Sequence, residues 1–244
     1  MELNKNEMKE IIAKNIAVRL EPNTYVNLGV GVPTLVSKFV TDEQNINIHS
    51  ENGMIGAIGD IDYDDPNYIP GVISSSGFPT RFKKGASFFD SSISFGIIRG
   101  GHLSASVLGT MEVDEHGNIA NYTIPGKLVV GMGGAMDLCV GAKNVIIATY
   151  HTNNGKPKIL KNCKLPLTAQ KAATMIVTEK AVFDIVNEKL ILSAYNPNFS
   201  IDEIISGVEP DVEISEDLEK MIMEWKGKIN VKFFKWRSCF CRSS

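Results

Sequence analysis

The chain has 244 residues, of which 43% are hydrophobic, and a formal net charge of -3. A chain of this size can bury a full core, as one large domain or as two closely joined ones. The chain has no excess of basic residues that would favour binding to nucleic acid. Its charged N-terminus lacks the apolar core of a signal peptide, and no apolar run reaches the roughly 18 residues of a membrane helix. We therefore predict a cytoplasmic protein.

The chain begins with the pattern of an amphipathic helix. Asn4 followed by Glu7 resembles a capping box, in which the two residues bond to each other's backbone N–H groups. Apolar residues then recur at helical spacing until Glu21-Pro22 stops the pattern. We therefore predict a first helix that ends before Pro22.

The next elements predict a strand, helix and strand in succession. Residues 25–28 have the composition of a strand that runs into G-V-G-V-P-T, and Pro33 suits the first position of a helix. A second short strand, around Ile46 and Ile48, ends at Glu51. This order favours an α/β fold with an open, mostly parallel sheet that is covered by helices.

The second half of the chain continues the alternation. Asp90 is a candidate N-cap and Gly100 a candidate end of a short helix. Strands flanking E-H-G predict a hairpin, a further strand precedes the glycines of G-M-G-G-A-M, and N-V-I-I-A-T-Y is predicted to be a buried strand. Residues 173–186 and 189–195 predict a late antiparallel pair, and Ser200 predicts a capped last helix.

The C-terminal segment differs in composition from the rest. Residues 225–244 hold both tryptophans, two of the four cysteines and six Lys or Arg residues, without an acid. We interpret residues 1–217 as the domain and residues 218–244 as an atypical basic, aromatic extension. Such a segment fits an arm that contacts an anionic membrane surface or, as we favour, a non-native or frameshifted extension.

The glycine loop after the first strand is a candidate binding feature. G-V-G-V-P-T brings backbone N–H groups to a helix N-terminus, which suits an anion or an oxyanion. The loop also resembles a dinucleotide fingerprint, with Gly29, Gly31 and, about 20 residues later, Glu51 as the ribose-binding acid. Thr34 in place of the third glycine, and Pro33 without an N–H, weigh against that alternative.

Glu51 is the candidate catalytic residue. It lies at the carboxyl end of a predicted parallel strand, where ligands of α/β sheets bind, and Asn52-Gly53 can turn its side chain toward the crevice. A carboxylate there can attack an activated carbonyl, and the resulting anhydride keeps the acyl group activated. This suits transfer between a carboxylate and a thioester, although an ordinary acid beside a turn gives the same pattern.

Other clusters give weaker indications. The four histidines lack metal-ligand spacing and the acidic run I-G-D-I-D-Y-D-D-P departs from a calcium loop, so we predict no metal site. The cysteines resemble neither a disulfide framework nor a zinc site. Gly131, Gly133 and Gly134 fit either tight strand packing or a close approach of the backbone to a long ligand.

Several motifs together carry a family resemblance: V-N-L-G-V-G-V-P-T, S-E-N-G, F-F-D-S-S-I-S-F-G-I-I-R-G-G-H, I-P-G-K-L-V-V-G-M-G-G-A-M-D-L and L-P-L-T-A. In this order, from about residue 5 to residue 217, the sequence resembles the β subunit of the class I coenzyme A transferases. The similarity is closest to the acetoacetate, butyrate and other 3-oxoacid types. The resemblance implies that fold and, through S-E-N-G, implies that Glu51 is the catalytic glutamate.

The resemblance also implies a mechanism and a set of site residues. Glu51 would form an acyl-glutamyl anhydride and then a glutamyl-CoA thioester, in a ping-pong reaction that needs no cofactor because coenzyme A is a substrate. The candidate oxyanion and CoA-binding residues are Gly133 and Gly134, with Gly131. The candidates for shaping the crevice are Gly29, Gly31, Asn52 and Gly53.

An α subunit is the partner that the resemblance implies, in an α2β2 assembly, with acyl-CoA and short-chain carboxylates as substrates. The stretch V-I-S-S-S-G-F-P-T-R-F-K-K-G-A departs from the family's usual alanine-glycine segment near the acyl pocket. That departure bears on substrate identity. The alternative is a non-catalytic α/β module that binds a nucleotide or sugar phosphate with the same glycine loops.

Overall fold

The computed structural model describes residues 3–227, and within them no helix combines the length and apolar character needed to cross a membrane. The α-helices are α1 (Lys5–Ala17), α2 (Ser91–Arg99), α3 (Ala135–Gly141) and α4 (Ile201–Ser206), and two 3-10 helices span Val32–Phe39 and Asp42–Gln44. The strands are β1 (Tyr25–Leu28), β2 (Asn47–Ser50), β3 (Met54–Asp60), β4 (Thr80–Phe88), β5 (Ala105–Leu108), β6 (Glu112–Asp114), β7 (Ile119–Ala120), β8 (Thr123–Ile124), β9 (Leu128–Val129), β10 (Asn144–Ala148), β11 (Thr152–Asn153), β12 (Lys156–Pro157), β13 (Ile159–Leu160), β14 (Met175–Val177), β15 (Ala181–Val186), β16 (Lys189–Tyr195) and β17 (Val212–Lys220).

One ten-stranded sheet organises the molecule, in the order β17-β16-β15-β14-β10-β5-β1-β2-β3-β4. The central strands, from β14 to β2, run parallel to one another. Antiparallel strands follow on both sides, with β15 and β16 at one end and β3 and β4 at the other. The predicted α/β class and the late antiparallel strands are therefore confirmed.

Helices cover both faces of the sheet, and a hydrophobic core lies under each layer. Ile12 of α1 belongs to the core on one face, whereas Ile98 of α2 and Leu138 of α3 belong to the core on the other. Ile146 and Ile147 of β10 are consecutive and point into different cores, as the alternation along a strand requires. Each fully buried side chain of this size stabilises the fold by roughly 1.5–3 kcal/mol.

Three helix starts form as the sequence predicts. The Asn4 side chain accepts the N–H of Glu7 at 3.0 Å, and the Glu7 carboxylate accepts the N–H of Asn4 at 2.7 Å, which completes the capping box. Asp90 and Ser200 each accept the N–H of the residue three positions later, at 3.0 and 3.1 Å. These bonds satisfy backbone donors that the first turn of a helix leaves unpaired.

The helix predicted after Pro33 is a 3-10 helix. The Thr34 hydroxyl donates to the Gly31 carbonyl at 2.7 Å, and the Ser37 hydroxyl donates to the Thr34 carbonyl at 2.8 Å. The backbone N–H of Thr34 also donates to the Gly31 carbonyl, at 3.2 Å, which is the three-residue spacing of a 3-10 turn. The β-branched residues of V-P-T-L-V also lower the preference for an α-helix.

Two strands were not foreseen, in the region of residues 54–88. Gly56 and Gly59 have φ values of +99° and +139°, and the pairing of β3 with β4 shifts register at both places. These irregularities break the alternation by which a strand is recognised in a sequence. Conversely, the strand predicted before G-M-G-G-A-M is only the exposed β9, which pairs with β8 in a short ribbon.

The boundary predicted after residue 217 falls inside β17, which runs on to Lys220. Beyond that strand, Met221 is buried in the core, and Asn15 of α1 exchanges two hydrogen bonds of 2.9 Å with the backbone of Ile222. The Trp225 ring contacts that of Phe39. Residues 218–225 thus pack against the sheet and α1. The rest of the predicted extension, from residue 228, lies outside the described residues.

Candidate active site

A pocket of about 410 Å³ opens at the carboxyl ends of β1, β2 and β5, where Gly29, Glu51 and Gly109 directly follow the three strands. These strands are parallel neighbours, so the three residues meet at one edge of the sheet. The chain passes from β1 to β2 on one side and later to β5 and β10 on the other, which makes this edge the topological switch point. The full lining is Gly29, Val30, Glu51, Ser75, Leu108, Gly109, Thr110, Met111, Asn121, Val130, Gly131, Met132, Gly133, Gly134, Ala135 and Leu138.

Glu51 is the one charged side chain among the described residues that line this pocket. It is half-buried, and burial raises the pKa of its carboxyl above the ordinary value, while the side chain of Asn27 acts in the opposite direction. Burial raises the pKa because water solvates the carboxylate incompletely. An incompletely solvated carboxylate that faces a pocket is suited to attack a bound electrophile.

The glycine run of residues 131–134 lies directly against this carboxylate. A Cβ atom placed on Gly134 would lie 3.4 Å from Cδ and 3.5 Å from Oε1 of Glu51, and 3.2 Å from Cζ of Phe95. No described residue accepts a hydrogen bond from the backbone N–H of Gly131, Gly133 or Gly134. The run therefore combines close approach to Glu51 with backbone donors that are open to a ligand.

The residues predicted to shape the crevice divide into two groups. Gly29 lines the pocket, and its N–H donates to the Val107 carbonyl at 2.9 Å. Gly31, Asn52 and Gly53 do not line it. Gly31 precedes a 3-10 helix instead, so the loop after β1 does not lead into the α-helix that a dinucleotide site would use at this strand.

Gly53 does not line the pocket but stabilises the turn that carries Glu51. Its N–H donates to the Ser50 carbonyl, and its carbonyl accepts the N–H of Phe89 at 2.9 Å. Its φ is +123°, and a Cβ atom there would lie 1.9 Å from the Phe89 carbonyl oxygen. A glycine is therefore required both by the backbone conformation and by the space.

Replacing Gly53 by alanine is expected to lower the free energy of unfolding by roughly 3 kcal/mol or more, because it adds a backbone collision to an unfavourable φ. Gly31→Ala is the matched control, since Gly31 also has a positive φ (+91°) but nothing lies within 4 Å of the added Cβ. Urea unfolding of the two variants measures the difference. Equal losses would show that the contact with Phe89 does not matter.

A buried polar chain beside Glu51 joins β1, β2 and α2. Nδ2 of Asn27 donates to the His49 carbonyl at 3.2 Å and lies 3.3 Å from its Nδ1, while Nε2 of His49 lies 3.0 Å from the Ser94 hydroxyl. Burial lowers the pKa of His49 to about 4, so its ring is neutral at pH 7. The neutral ring accepts from Asn27 through Nδ1 and donates to Ser94 through Nε2.

Protonation of buried histidines is expected to destabilise the fold as the pH falls from 6.5 to about 4. Burial lowers the pKa of His49 and of His151 to about 4, below the ordinary value of 6.5, so the unfolded chain binds more protons in this range. Each histidine then accounts for up to about 3 kcal/mol of stability at neutral pH that is lost in acid. Glu51 and Glu179, whose pKa values are raised, act in the opposite direction.

Urea unfolding at several pH values checks this expectation. The His49→Gln and His151→Gln variants should each lose less stability than the unsubstituted chain between pH 6.5 and pH 4, whatever their stability at neutral pH. A variant profile parallel to that of the unsubstituted chain would show that the replaced histidine does not titrate in this window.

The sequence analysis did not name three polar residues of the lining, Ser75, Thr110 and Asn121, although Ser75 belongs to the stretch that the resemblance placed near the acyl pocket. Thr110 could have been found, because G-T follows a buried parallel strand just as G-V follows β1. Ser75 comes from the loop between β3 and β4, and Asn121 follows β7. Only the long-range pairing of strands brings these two residues to Glu51.

The remaining titratable groups lie outside the pocket. His151 is fully buried, and its Nε2 lies 2.9 Å from the Ile204 carbonyl. Cys139 and Cys163 are free thiols, and burial raises the pKa of Cys139 to about 12. Within residues 3–227, no group of three His, Cys, Asp or Glu side chains is placed to hold a metal ion.

Comparison with known proteins agrees with the fold and identifies the family. The family described as "Coenzyme A transferase" matches residues 9–207. An acetate CoA-transferase subunit beta from Haemophilus influenzae is 45% identical, over 90% of this chain and 97% of that protein. The acetate CoA-transferase subunit beta of Escherichia coli K12 is 41% identical, over 87% of this chain and 96% of that protein.

A crystal structure of an acyl-CoA transferase from Escherichia coli O157:H7 has the same fold, with a TM-score of 0.70 and 21% identity over 94% of this chain and 47% of that one. The relatives confirm the resemblance carried by the motifs, and they do not favour a non-catalytic nucleotide or sugar-phosphate module. The chain belongs to the coenzyme A transferase family.

Proposed function

We propose that this chain is the subunit that carries the catalytic glutamate of a CoA-transferase, and that Glu51 is the nucleophile. The observation that supports this most strongly is the position of Glu51, a half-buried carboxylate that faces a glycine-lined pocket at the switch point of the sheet. The substrates are an acyl-CoA and a short-chain carboxylic acid, of the 3-oxoacid or fatty-acid type.

The reaction proceeds by two exchanges on Glu51. A carboxylate oxygen attacks the thioester carbonyl carbon, the carbon–sulfur bond breaks, and CoA leaves as a thiolate from an acyl-glutamyl anhydride. The thiolate then attacks the glutamyl carbonyl, which releases the first acid as its carboxylate and leaves a glutamyl-CoA thioester. An acceptor carboxylate reverses both steps, so the exchange consumes no proton and needs no metal or redox cofactor.

Each addition passes through an oxyanion, for which the glycine run is the proposed donor. The N–H groups of Gly133 and Gly134, and that of Gly131, are open to a ligand, and Gly134 lies against the Glu51 carboxyl. Loss of one such fixed donor typically costs about 3 kcal/mol of transition-state stabilisation. Gly29, which lines the same pocket, allows the substrate to approach the end of β1 without a side chain in the way.

An α subunit is the proposed partner, and α2β2 the proposed assembly. Two relatives that cover most of this chain are named as beta subunits. The rim of the pocket is apolar and exposed, since the lining residues Val30 and Val130 are 64% and 61% exposed, and Val129, next to Val130 in the chain, is 78% exposed. Apolar groups of this kind around a site are typical of a surface that a partner covers, and a covered site would protect the anhydride from water.

Trapping of the intermediate tests the proposed reaction. The chain and its α partner are mixed with acetoacetyl-CoA or butyryl-CoA, reduced with borohydride and digested for mass spectrometry. Conversion of the Glu51 carboxyl to an alcohol is the expected result, because borohydride reduces a thioester and leaves a free carboxylate intact. An unmodified Glu51 in a complex that nevertheless exchanges CoA would contradict the assignment.

A further inference from the structure

His49 belongs to a row of side chains that leads to Glu51. Asn27 of β1 and His49 of β2 lie opposite each other in the parallel register. Glu51 follows His49 by two positions, the spacing at which side chains of an extended chain share a face. Asn27 and His49 are both buried, so their polar atoms depend on hydrogen bonds inside the protein.

The amide of Asn27 is oriented by His49. Its Nδ2 atom donates to the His49 carbonyl at 3.2 Å and lies 3.3 Å from the ring Nδ1. A carbonyl can only accept a hydrogen bond, so the nitrogen of the amide, and not its oxygen, must face His49. The ring Nδ1 on that side then accepts as well, which leaves the ring proton on Nε2, 3.0 Å from the Ser94 hydroxyl.

The oxygen end of the Asn27 amide contributes nothing to this orientation. Its Oδ1 atom is buried and receives no hydrogen bond from a described residue. A rotation that exchanged the two ends of the amide would therefore break no bond at Oδ1. It would instead bring the amide oxygen against the His49 carbonyl, and two acceptors repel each other. His49 thus decides which end of the amide faces which neighbour.

The orientation matters because the Asn27 amide acts on the Glu51 carboxylate. Burial raises the pKa of Glu51, and a hydrogen bond from the side chain of Asn27 lowers it. A donor at one carboxylate oxygen favours the charged form and restrains the rotation of the group. A reversed amide would present an oxygen to the anion and would lose both effects.

We infer that His49 is a positioning residue for the nucleophile: its neutral ring, held by Ser94, fixes the Asn27 amide so that an N–H points to the Glu51 carboxylate. This inference rests on the proposed function and adds to it a residue that does not line the substrate pocket. A neutral imidazole suits the role because it carries an acceptor and a donor at fixed positions on a rigid ring.

The groups around His49 keep its ring neutral while Glu51 ionises. Two acids lie near it among the described residues, namely Glu51 and Asp60 of β3, which lines the same cavity of about 30 Å³ as His49. The ring also meets three neutral groups: Ser94 of α2, Asn27 of β1 and the ring of Phe89. Burial lowers the pKa of His49 to about 4, whereas the pKa of Glu51 lies above its ordinary value, so Glu51 loses its proton at a higher pH than His49 does.

The test is the pH profile of kcat/KM in the assembled complex with the α subunit, measured with acetoacetyl-CoA and acetate. His49→Leu is expected to lower the plateau by about 10- to 100-fold and to move the acid limb to higher pH, because Glu51 loses the donor that favours its charge. His49→Gln, which again supplies an acceptor and a donor, should keep the limb close to its original position. Ser94→Ala should move the limb in the same direction by less, and it decides the matter if His49→Leu does not assemble.

His151→Leu is the matched control for the loss of a buried histidine. Burial also lowers the pKa of His151 to about 4, and its ring lies 3.2 Å from the Thr178 hydroxyl and 2.9 Å from the Ile204 carbonyl, outside the pocket. This variant should lose stability in urea unfolding, as His49→Leu does, but leave the acid limb in place. The comparison separates a general loosening of the fold from an effect on Glu51.

The route through Asn27 has its own check. Because His49 acts through that amide, the double variant His49→Leu/Asn27→Leu should be no slower than Asn27→Leu alone. Additive losses would overturn the route, and an unmoved limb in His49→Leu, or an equal shift in His151→Leu, would overturn the positioning role. None of these results would touch the proposed reaction, which fails only if Glu51 stays unmodified in the trapping experiment with the unsubstituted, active complex.

Discussion

Glu51→Gln is expected to lower CoA exchange in the assembled complex by about 10⁴-fold or more, the scale of losses seen when a nucleophile is removed. The amide lacks the anionic oxygen that forms the anhydride, and no other carboxylate lines the described part of the pocket. Stability should not fall, because burial already raises the pKa of Glu51 and so opposes its charged form. Steady-state exchange and urea unfolding of the same preparation measure the two effects.

Glu51→Asp is the matched control for this experiment, because it keeps the charge and withdraws the carboxylate by one methylene. A displacement of about 1 Å from a reactive geometry can cost roughly 100-fold in rate, so a residual but slow exchange is expected. The trapped intermediate should then appear at residue 51 in smaller amount. Exchange in Glu51→Gln close to that of the unsubstituted complex would falsify the assignment of the nucleophile.

Gly134→Val is expected to reduce exchange by about 100-fold or more while the fold is retained, because branched methyls would occupy the space in which the Glu51 carboxyl must react. A Cβ atom alone already lies 3.4 Å from Glu51 Cδ and 3.2 Å from Phe95 Cζ, and the two further methyl groups extend beyond it. The φ of Gly134 is -83°, a value open to any residue, so backbone strain does not confuse the result. The measured quantity is kcat/KM, read beside the unfolding curve.

A smaller side chain and a remote glycine serve as the comparisons for Gly134. Gly134→Ala should lose activity by about 10-fold, because the neighbouring groups need to shift by only a few tenths of an ångström. Gly96→Ala tests the exchange of a glycine for alanine as such, since Gly96 lies within α2 and a Cβ there meets nothing within 4 Å. Full activity in Gly134→Val would show that the reacting carboxyl does not use this space.

The parts of the site that follow strands directly could be predicted from the sequence. Gly29 and Glu51 each come one residue after a short parallel strand, and the strand-helix-strand order alone puts such positions at one edge of a sheet. The caps of α1, α2 and α4 were equally accessible, because a capping bond joins residues three positions apart. Local chemistry suffices for features of this kind.

The parts of the site that could not be predicted from the sequence depend on the pairing of strands that are distant in the chain. Ser75 reaches the pocket only because β3 and β4 add to the sheet beside β2, and irregular pairing at Gly56 and Gly59 hides those strands in the sequence. Asn121 arrives through the short hairpin of β6 and β7, and the Thr168 hydroxyl then fixes its side chain at 2.7 Å. Spacing along the chain carries no signal for contacts that only tertiary pairing creates.

The bonds between Asn15 and Ile222 have a consequence for how the chain acquires its structure. They join residues 207 positions apart, and Asn15 is fully buried, so its amide has these partners only when nearly the whole described chain is present. Closing such a long loop reduces the conformational entropy of the chain before the two hydrogen bonds can stabilise it, and this slows folding. During synthesis, the bonds that join Asn15 to Ile222 can therefore form only after residue 222 has left the ribosome.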